Sequence, residues 1–454
     1  MKSCFLRLTA LTLILALTLC LCSCGMFGSG HTINKIDLAD YTIVYSDDAP
    51  DYTLRAAEYI QNEILAITGL SLPLCEESEG IYEHEIVVGE TGRPISGQLD
   101  AQTEGLEFAM LADENHIAME GDYFVIAAAA YHFVHTCIRA EGTEAVIDNQ
   151  TVIHTPIAEA PRNFIFLIGD GMGFMQTRLF EAFDKPTKLT YYDGEDSFFG
   201  YMLPYQGSVM TQSLSGVTDS AASGTALACG VKTYNHYVGK DPDLNDMMSL
   251  TELAATLGMS TAVMSTEFSV GATPSAFSAH VEDRDLKNDI RDCQQQMTET
   301  YGTIFDCNLN MRPDFDEHIR NTLSALEEDP DGFFLMYEEA YIDKHSHDLD
   351  MEKTFHAVVR FNRAIGLFME YAFYHPETFL IITADHETCG LDIAGNGSFV
   401  YTADYHTALD VPIFAYGQGA EVFHDTRMEN NEIPKIFASI WAVEDFPRAL
   451  APQP

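Results

Sequence analysis

A chain of 454 residues, 46% of them hydrophobic, is long enough for two domains and a sizeable core. Its 24 basic and 69 acidic residues leave a formal charge of −45, which repels nucleic acid and anionic membrane surfaces. A phosphate-bearing substrate would be repelled too, unless metal ions and an arginine concentrate positive charge at its site.

The first segment stands outside the fold. Lys2 and Arg7 precede an apolar run from Leu8 to Leu21, the pattern of a secretory signal. The run ends in Leu21-Cys22-Ser23-Cys24-Gly25, which resembles a bacterial lipobox. Residues 1–23 are therefore expected to be a lipoprotein-type signal peptide, and residues 24–32 a tether. A lipid on Cys24 would hold the exported chain at the bacterial cell membrane. An ordinary signal peptide cleaved nearby is the alternative. Six cysteines lie further on: Cys75, Cys137, Cys229, Cys293, Cys307 and Cys389. None forms a C-x-x-C pair, which argues against a zinc knuckle. Export permits disulfides, and Cys293–Cys307 and Cys75–Cys137 are the expected pairs, with buried free thiols as the alternative.

Residues 33–155 predict a small α/β domain. Tyr41–Tyr45 alternates as a strand, and Leu54, Ala57, Ile60, Ile64 and Ile67 recur at helical spacing before a stop at Gly69. Glu85–Val88 and Phe108–Leu111 predict strands, and Phe124–Cys137 a buried helix. The stretches TIVYSDDAPDYTLRAAEYIQNEILAITGLSLPL, HEIVVGETGRP and HIAMEGDYFVIAAAAYHFVH resemble the non-catalytic α/β domain that precedes catalytic barrels in bacterial glycoside hydrolases. That resemblance implies an accessory role. Pro156 and Pro161 bracket a linker.

From Arg162 to about residue 446, apolar runs alternate with helical patterns, which predicts a mostly parallel sheet with helices on both faces. The strands are expected at Asn163–Ile168, Thr261–Ser265, Phe333–Tyr337, Phe379–Thr383 and Val411–Tyr416. Polar residues follow these runs: Asp170 after the first, Glu338 after the third, Asp385 and His386 after the fourth. Sites in parallel sheets form at the carboxyl ends of strands, so these groups should meet on one edge. Between the first two runs lies Val217-Thr218-Asp219-Ser220-Ala221-Ala222-Ser223-Gly224-Thr225-Ala226. A serine among small residues can start a helix with its hydroxyl bare, where backbone N–H groups and the dipole favour an anion. Asp170, Asp343, His347, Asp385, His386 and His406 are residue types that bind divalent metals. Together they point to metal-assisted phosphoryl transfer.

Six stretches in order resemble the alkaline phosphatase family: NFIFLIGDGMG, VTDSAASGTALACGVKTYN, ATPSAFSAHVEDR, FFLMYEEAYIDKHSH, IITADHE and HTALDVPIFAYG, spanning residues 163 to 417. The resemblance implies Ser220 as nucleophile and Arg284 as the clamp on two phosphate oxygens. It implies one zinc on Asp343, His347 and His406, and a second on Asp170, Asp385 and His386. Asp170, Thr273 and Glu338 would share a magnesium, with Lys344 near the phosphate through water. The implied activity is hydrolysis of phosphate monoesters at alkaline pH through a phosphoserine. Members of the family are commonly dimers, so a homodimer is also allowed.

Asp219 is readable as a helix cap or as the group that orients Arg284; His280 reads as structural, and Glu282 and Asp283 as surface acids. One departure stands out. Gly271 falls where family members carry an acid or a histidine that supports the third metal, so a weaker magnesium site is expected. Lys344 resembles the bacterial form that favours magnesium. The alternatives are a phosphodiesterase of the same superfamily, or a cell-surface glycan-binding protein with a passenger phosphatase domain. A sulfatase is disfavoured because no Cys-x-Pro-x-Arg motif is present.

Overall fold

The computed structural model describes residues 33–99, 105–139, 142–183 and 197–450. The expected signal peptide (residues 1–23) and the tether that begins with Cys24 (residues 24–32) lie outside the described residues. Among those described, no helix is long and apolar enough to cross a membrane.

In the N-terminal unit, β1 (Ile33–Asp37) and β7 (Glu144–Asp148) form a separate antiparallel ribbon. Strands β2 (Thr42–Tyr45), β3 (Leu74–Glu76), β4 (Glu85–Val88), β5 (Phe108–Ala112), β6 (His116–Gly121) and β8 (Val152–His154) form one sheet in the order β3-β2-β4-β6-β5-β8. Its first four strands in that order are parallel; β5 runs antiparallel to β6 and β8. Helix α1 (Asp51–Thr68) buries Ala56, Ala57, Ile60 and Ile64 and stops at Gly69, whose φ of 78° a glycine adopts without strain. The expected helix from Phe124 onward is α2 (Ile126–His132), tightened before it at Tyr123–Val125 and widened after it into a π turn at Phe133–Cys137.

The C-terminal unit is an eight-stranded sheet. Strands β9 (Asn163–Gly169), β10 (Tyr205–Met210), β11 (Ser260–Ser265), β12 (Ile304–Cys307), β13 (Phe333–Glu339) and β14 (Thr378–Thr383) are joined by β19 (Val411–Tyr416) and β20 (Arg427–Glu429). Two ribbons separate β14 from β19: β15 (Glu387–Thr388) with β18 (His406–Thr407), and β16 (Leu391–Ile393) with β17 (Phe399–Tyr401). The order is β12-β11-β13-β9-β14-β19-β10-β20. From β12 to β14 every pairing is parallel. The central strands are buried along their whole length, which is why their sequences are continuous apolar runs rather than alternations.

The sheet is mostly parallel, as expected, and one expectation about the cysteines needs correction. Val411–Tyr416 is a strand, and it runs antiparallel to β14. The chain between them folds into short ribbons with no crossover helix, and an antiparallel return needs none. The expected disulfides are absent: all six cysteines are free thiols. Cys307 turns its Sγ to Val263 O at 3.6 Å across the sheet, while Cys293 packs against the cluster around Val281 and Ile290. Cys137 is buried at the end of the π turn, and Cys75 lies on β3.

One apolar cluster runs through both units. Helix α6 (Met351–Tyr374) lies at their seam. Gly366 on this helix leaves room for the Phe124 ring; a Cβ there would come within 2.0 Å of Phe124 Cε2. Glu370, 2% exposed, is held by Arg55 at 2.7 Å and Arg320 at 3.0 Å.

Candidate active site

The site lies where the parallel strands of the larger sheet end. Asp170 follows β9, and Glu338 closes β13. Asp343 and His347 come from α5 (Tyr341–His347), one turn apart on the same face. Asp385 and His386 follow β14. His406 precedes β19, and that strand's reversed direction brings its starting end to this edge. Gly171, with φ of 77°, permits the crowding: a Cβ there would stand 2.7 Å from Thr388 Oγ1 and 2.8 Å from Asp343 Cα.

Ser220 opens helix α3 (Ser220–Cys229), whose ten residues are all buried. Asp219 does both of the things its sequence position allowed. Its Oδ1 caps the helix by accepting from Ala222 N at 3.0 Å. Its Oδ2 accepts from His236 N at 3.1 Å and from Arg284 Nη1 at 3.3 Å. The Ser223 hydroxyl donates to Asp385 O, fastening α3 to the end of β14.

Among the described residues, three groups of three bring one ligand atom each to within 4.8 Å of one another: Asp343, His347 and His406; Asp170, Asp385 and His386; and, on the surface, His236, Asp283 and Asp285. Hydrogen bonds set the tautomers. His406 Nδ1 lies 2.9 Å from Thr218 O and must donate to it, so Nε2 is the nitrogen that gains or loses the proton; burial disfavours the charged ring, but Asp343 outweighs that and raises its pKa. That Nε2 faces His347 Nε2 at 3.0 Å and Asp343 Oδ1 at 3.4 Å. The Thr388 hydroxyl donates to Asp343 Oδ1 at 2.5 Å, so it accepts from His386 Nδ1 at 3.2 Å. His386 Nε2 is then a lone pair, 3.2 Å from Ser220 Oγ, 3.2 Å from Asp385 Oδ2 and 3.4 Å from Asp170 Oδ1.

Acceptors turned on acceptors are repulsive unless a cation or protons lie between them. Asp170 Oδ1, Asp385 Oδ2, Glu338 Oε1 and Thr273 Oγ1 are buried without a hydrogen-bond partner. Thr273, on the short helix α4 (Ala272–Ala276), nevertheless lies near enough to Glu338 to favour its ionised form. Burial, then the charges of Asp385 and Asp343, push the Asp170 carboxyl well above its ordinary range. Burial and then Asp343 push Asp385 up to about 7. Burial and then the charge of Glu267 push the Glu338 carboxyl well above its ordinary range. Burial, then His406, holds His386 well below the usual imidazole range. Asp343 is the exception: burial raises it, but His406, His386 and His347 outweigh that and hold it low. These donors, acidic oxygens with neutral imidazole nitrogens, fit zinc, and the all-oxygen set of Asp170, Thr273 and Glu338 fits magnesium.

All ten residues expected at the site converge here, with Arg284 across from Asp219 and Lys344 beside Glu267 at 2.5 Å. His280 is structural, bonded to Glu252 at 2.9 Å and Gly239 O at 3.0 Å. Sequence reasoning missed Thr388, Thr218 and Glu267. Thr388 follows the Asp385-His386 pair closely and is findable as a hydroxyl that could hold the imidazole. No local signal marks Thr218, which acts through its carbonyl. Glu267 follows β11, a strand end like the others, but carries no neighbouring metal-binding residue type.

A family description of alkaline phosphatases matches residues 161–316 and 303–405 of the chain. Alkaline phosphatase 3 of Bacillus subtilis is 25% identical over 346 residues, 63% of this chain and 75% of that protein. Alkaline phosphatase 4 of the same organism is 29% identical over 298 residues, 52% of this chain and 63% of that one. Among solved structures, alkaline phosphatase from the Antarctic bacterium TAB5 superposes with a TM-score of 0.55 at 25% identity, covering 63% of this chain and 100% of its own. A histidine-to-glutamate variant of that enzyme, solved with magnesium bound in its M3 site, gives a TM-score of 0.52 at 25% identity, covering 64% of this chain and 100% of its own.

Proposed function

Because the chain belongs to the alkaline phosphatase family, we propose that it hydrolyses phosphate monoesters at alkaline pH through a phosphoserine on Ser220. The observation that carries this reading is the Ser220 hydroxyl, 3.2 Å from the unprotonated Nε2 of His386 and beside the orphaned oxygens of Asp170 and Asp385. Asp343, His347 and His406 would hold one zinc, Asp170, Asp385 and His386 a second, and Asp170, Thr273 and Glu338 a magnesium. Bound there, the cations would supply Lewis acidity that lowers the pKa of a hydroxyl and neutralises charge on a phosphoryl group.

The chain's own residues do the rest. Ser220 Oγ attacks phosphorus in line, the bond to the leaving alcohol breaks, and the seryl oxygen keeps the phosphoryl group. Water then displaces the serine, the P–O bond to Oγ breaks, and inorganic phosphate leaves. Arg284 donates to two non-bridging oxygens, and Asp219 holds its guanidinium towards the nucleophile. The backbone N–H groups at the start of α3 add partial positive charge where the phosphate arrives. These residues grip phosphate and leave the alcohol unselected, so the substrate range is broad. The apolar run and lipobox support export and a lipid on Cys24, which radiolabelled palmitate incorporation would test.

The deciding experiment compares p-nitrophenyl phosphate with its bis-ester, together with acid-quench trapping of labelled phosphate on protein. Monoester turnover at alkaline pH with a trapped phosphoserine is expected, and Ser220→Ala should lose both. Trapping that persists in Ser220→Ala would remove Ser220 as the nucleophile. Faster turnover of the bis-ester would make the protein a diesterase.

A further inference from the structure

Gly271 caps α4 just before Thr273, and its missing side chain predicts a weak third cation site. The structure fills that gap from elsewhere. A Cβ built on Gly271 would lie 1.9 Å from Glu267 Oε1 and 2.2 Å from its Cδ. The carboxylate of Glu267, arriving from the loop after β11, thus occupies the space in which a side chain at position 271 would begin.

Glu267 is tied into the surroundings of Glu338. Its N–H donates to Ser265 Oγ at 3.0 Å, and the same hydroxyl donates to Glu338 Oε2 at 2.5 Å. Its backbone carbonyl accepts from Asn308 N at 2.5 Å. Its Oε2 lies 2.5 Å from Lys344 Nζ. Glu267 is therefore anchored at three points, its backbone N–H, its backbone carbonyl and one carboxylate oxygen. Its other oxygen is turned to the start of α4, where Thr273 Oγ1 is buried without a partner, as is Oε1 of Glu338.

We infer that Glu267 is the acid of the third cation site, replacing through space the side chain that Gly271 lacks. It is a positioning residue. One oxygen fixes Lys344, and the other meets the hydration shell of a magnesium held by Asp170, Thr273 and Glu338. This inference rests on the reading of the site given above. It makes the presence of glycine at position 271 a consequence: any side chain there requires the Glu267 side chain to move from its place.

The test measures magnesium binding to zinc-loaded protein by titration calorimetry, with zinc counted by elemental analysis. Glu267→Gln should weaken magnesium binding at least tenfold while zinc stays at two per chain and the melting temperature of the zinc-loaded form holds. Gly271→Asp alone should lower the melting temperature, and Glu267→Ala/Gly271→Asp together should recover both folding and magnesium affinity. Unchanged magnesium affinity in Glu267→Gln, or a double variant no better than Glu267→Ala, would overturn the inference. Wild-type protein that takes up zinc and turns over monoester but binds no magnesium would overturn this inference alone. Protein that takes up no zinc and is inert would overturn the wider reading of the site.

Discussion

Both sheets gather carboxylates at the ends of their parallel strands, and the surroundings of the two sets are opposite. The N-terminal edge opens into a cleft of about 580 Å³ that includes Asp48, Glu77, Glu90, Glu120 and Asp122. Asp48, Glu90 and Asp122 are exposed to water. Glu77 accepts from Gly92 N at 2.7 Å, and Glu120 accepts from Ser96 Oγ at 2.6 Å. At the C-terminal edge the acids are buried and interleaved with imidazoles. Among the described residues, the buried carboxylate oxygens without a hydrogen-bond partner are Asp170 Oδ1, Glu338 Oε1 and Asp385 Oδ2. A solvated or hydrogen-bonded carboxylate is already satisfied and carries no demand for a cation, whereas a buried unpaired one does. Position at a strand end is thus shared by both edges, and desolvation separates them.

The most forceful way to break this contrast is to remove the cations. Chelation should abolish monoester turnover, and zinc with magnesium should restore it. The loss of stability should also depend on pH. Without cations, Asp385 folds with its carboxyl raised from 3.8 to about 7, so its proton contributes stability at low pH that is lost as pH rises through about 7. Asp170 and Glu338 are raised as well and act in the same direction. The drop in melting temperature on chelation should therefore be larger at pH 8 than at pH 5, by on the order of 5 °C. A drop independent of pH would mean that these acids do not share the cation sites.

Arg284→Ala comes next in size. It removes the positive charge that faces the nucleophile, and should raise KM for phosphate esters and lower kcat by about tenfold to a hundredfold. Steady-state kinetics with p-nitrophenyl phosphate would check it. Unchanged kinetics would place the phosphate elsewhere.

Glu370→Gln sharpens the comparison from the seam. It leaves Arg55 and Arg320 without their shared charge, and both arginines are only partly buried. A loss of about 2 kcal/mol in denaturant unfolding is expected, with zinc content unaltered. A lower turnover at saturating cations would show that the N-terminal unit supports the site through this seam. The smallest effect should come from Glu77→Gln at the N-terminal cleft. Turnover and bound metal should match the wild type, and stability should fall by less than about 1 kcal/mol. Any loss of metal there would erase the distinction between the two edges.

Much of this was legible in the chain. Asp219 and Ser220 are read locally, because a helix cap and the first residue after it are set by neighbours a few positions away. Asp170, Glu338, Asp385 and His386 are read from the apolar runs they follow, since a strand buried on both faces leaves little else to write. Other features were settled only by packing. The direction of β19, which carries His406 to the site, depends on how residues 384–410 fold back, and no periodicity records it. The free thiols depend on distances between helices and strands remote in sequence. Glu267 stands four positions from the glycine whose space it fills, and Thr388 and the Thr218 carbonyl orient imidazoles from other segments. The sequence by itself determined which residue types stand at which strand and helix ends, because local backbone preferences and burial write those patterns. Only the tertiary structure decided which of those ends face one another without water, because desolvation and through-space charge belong to the packed molecule.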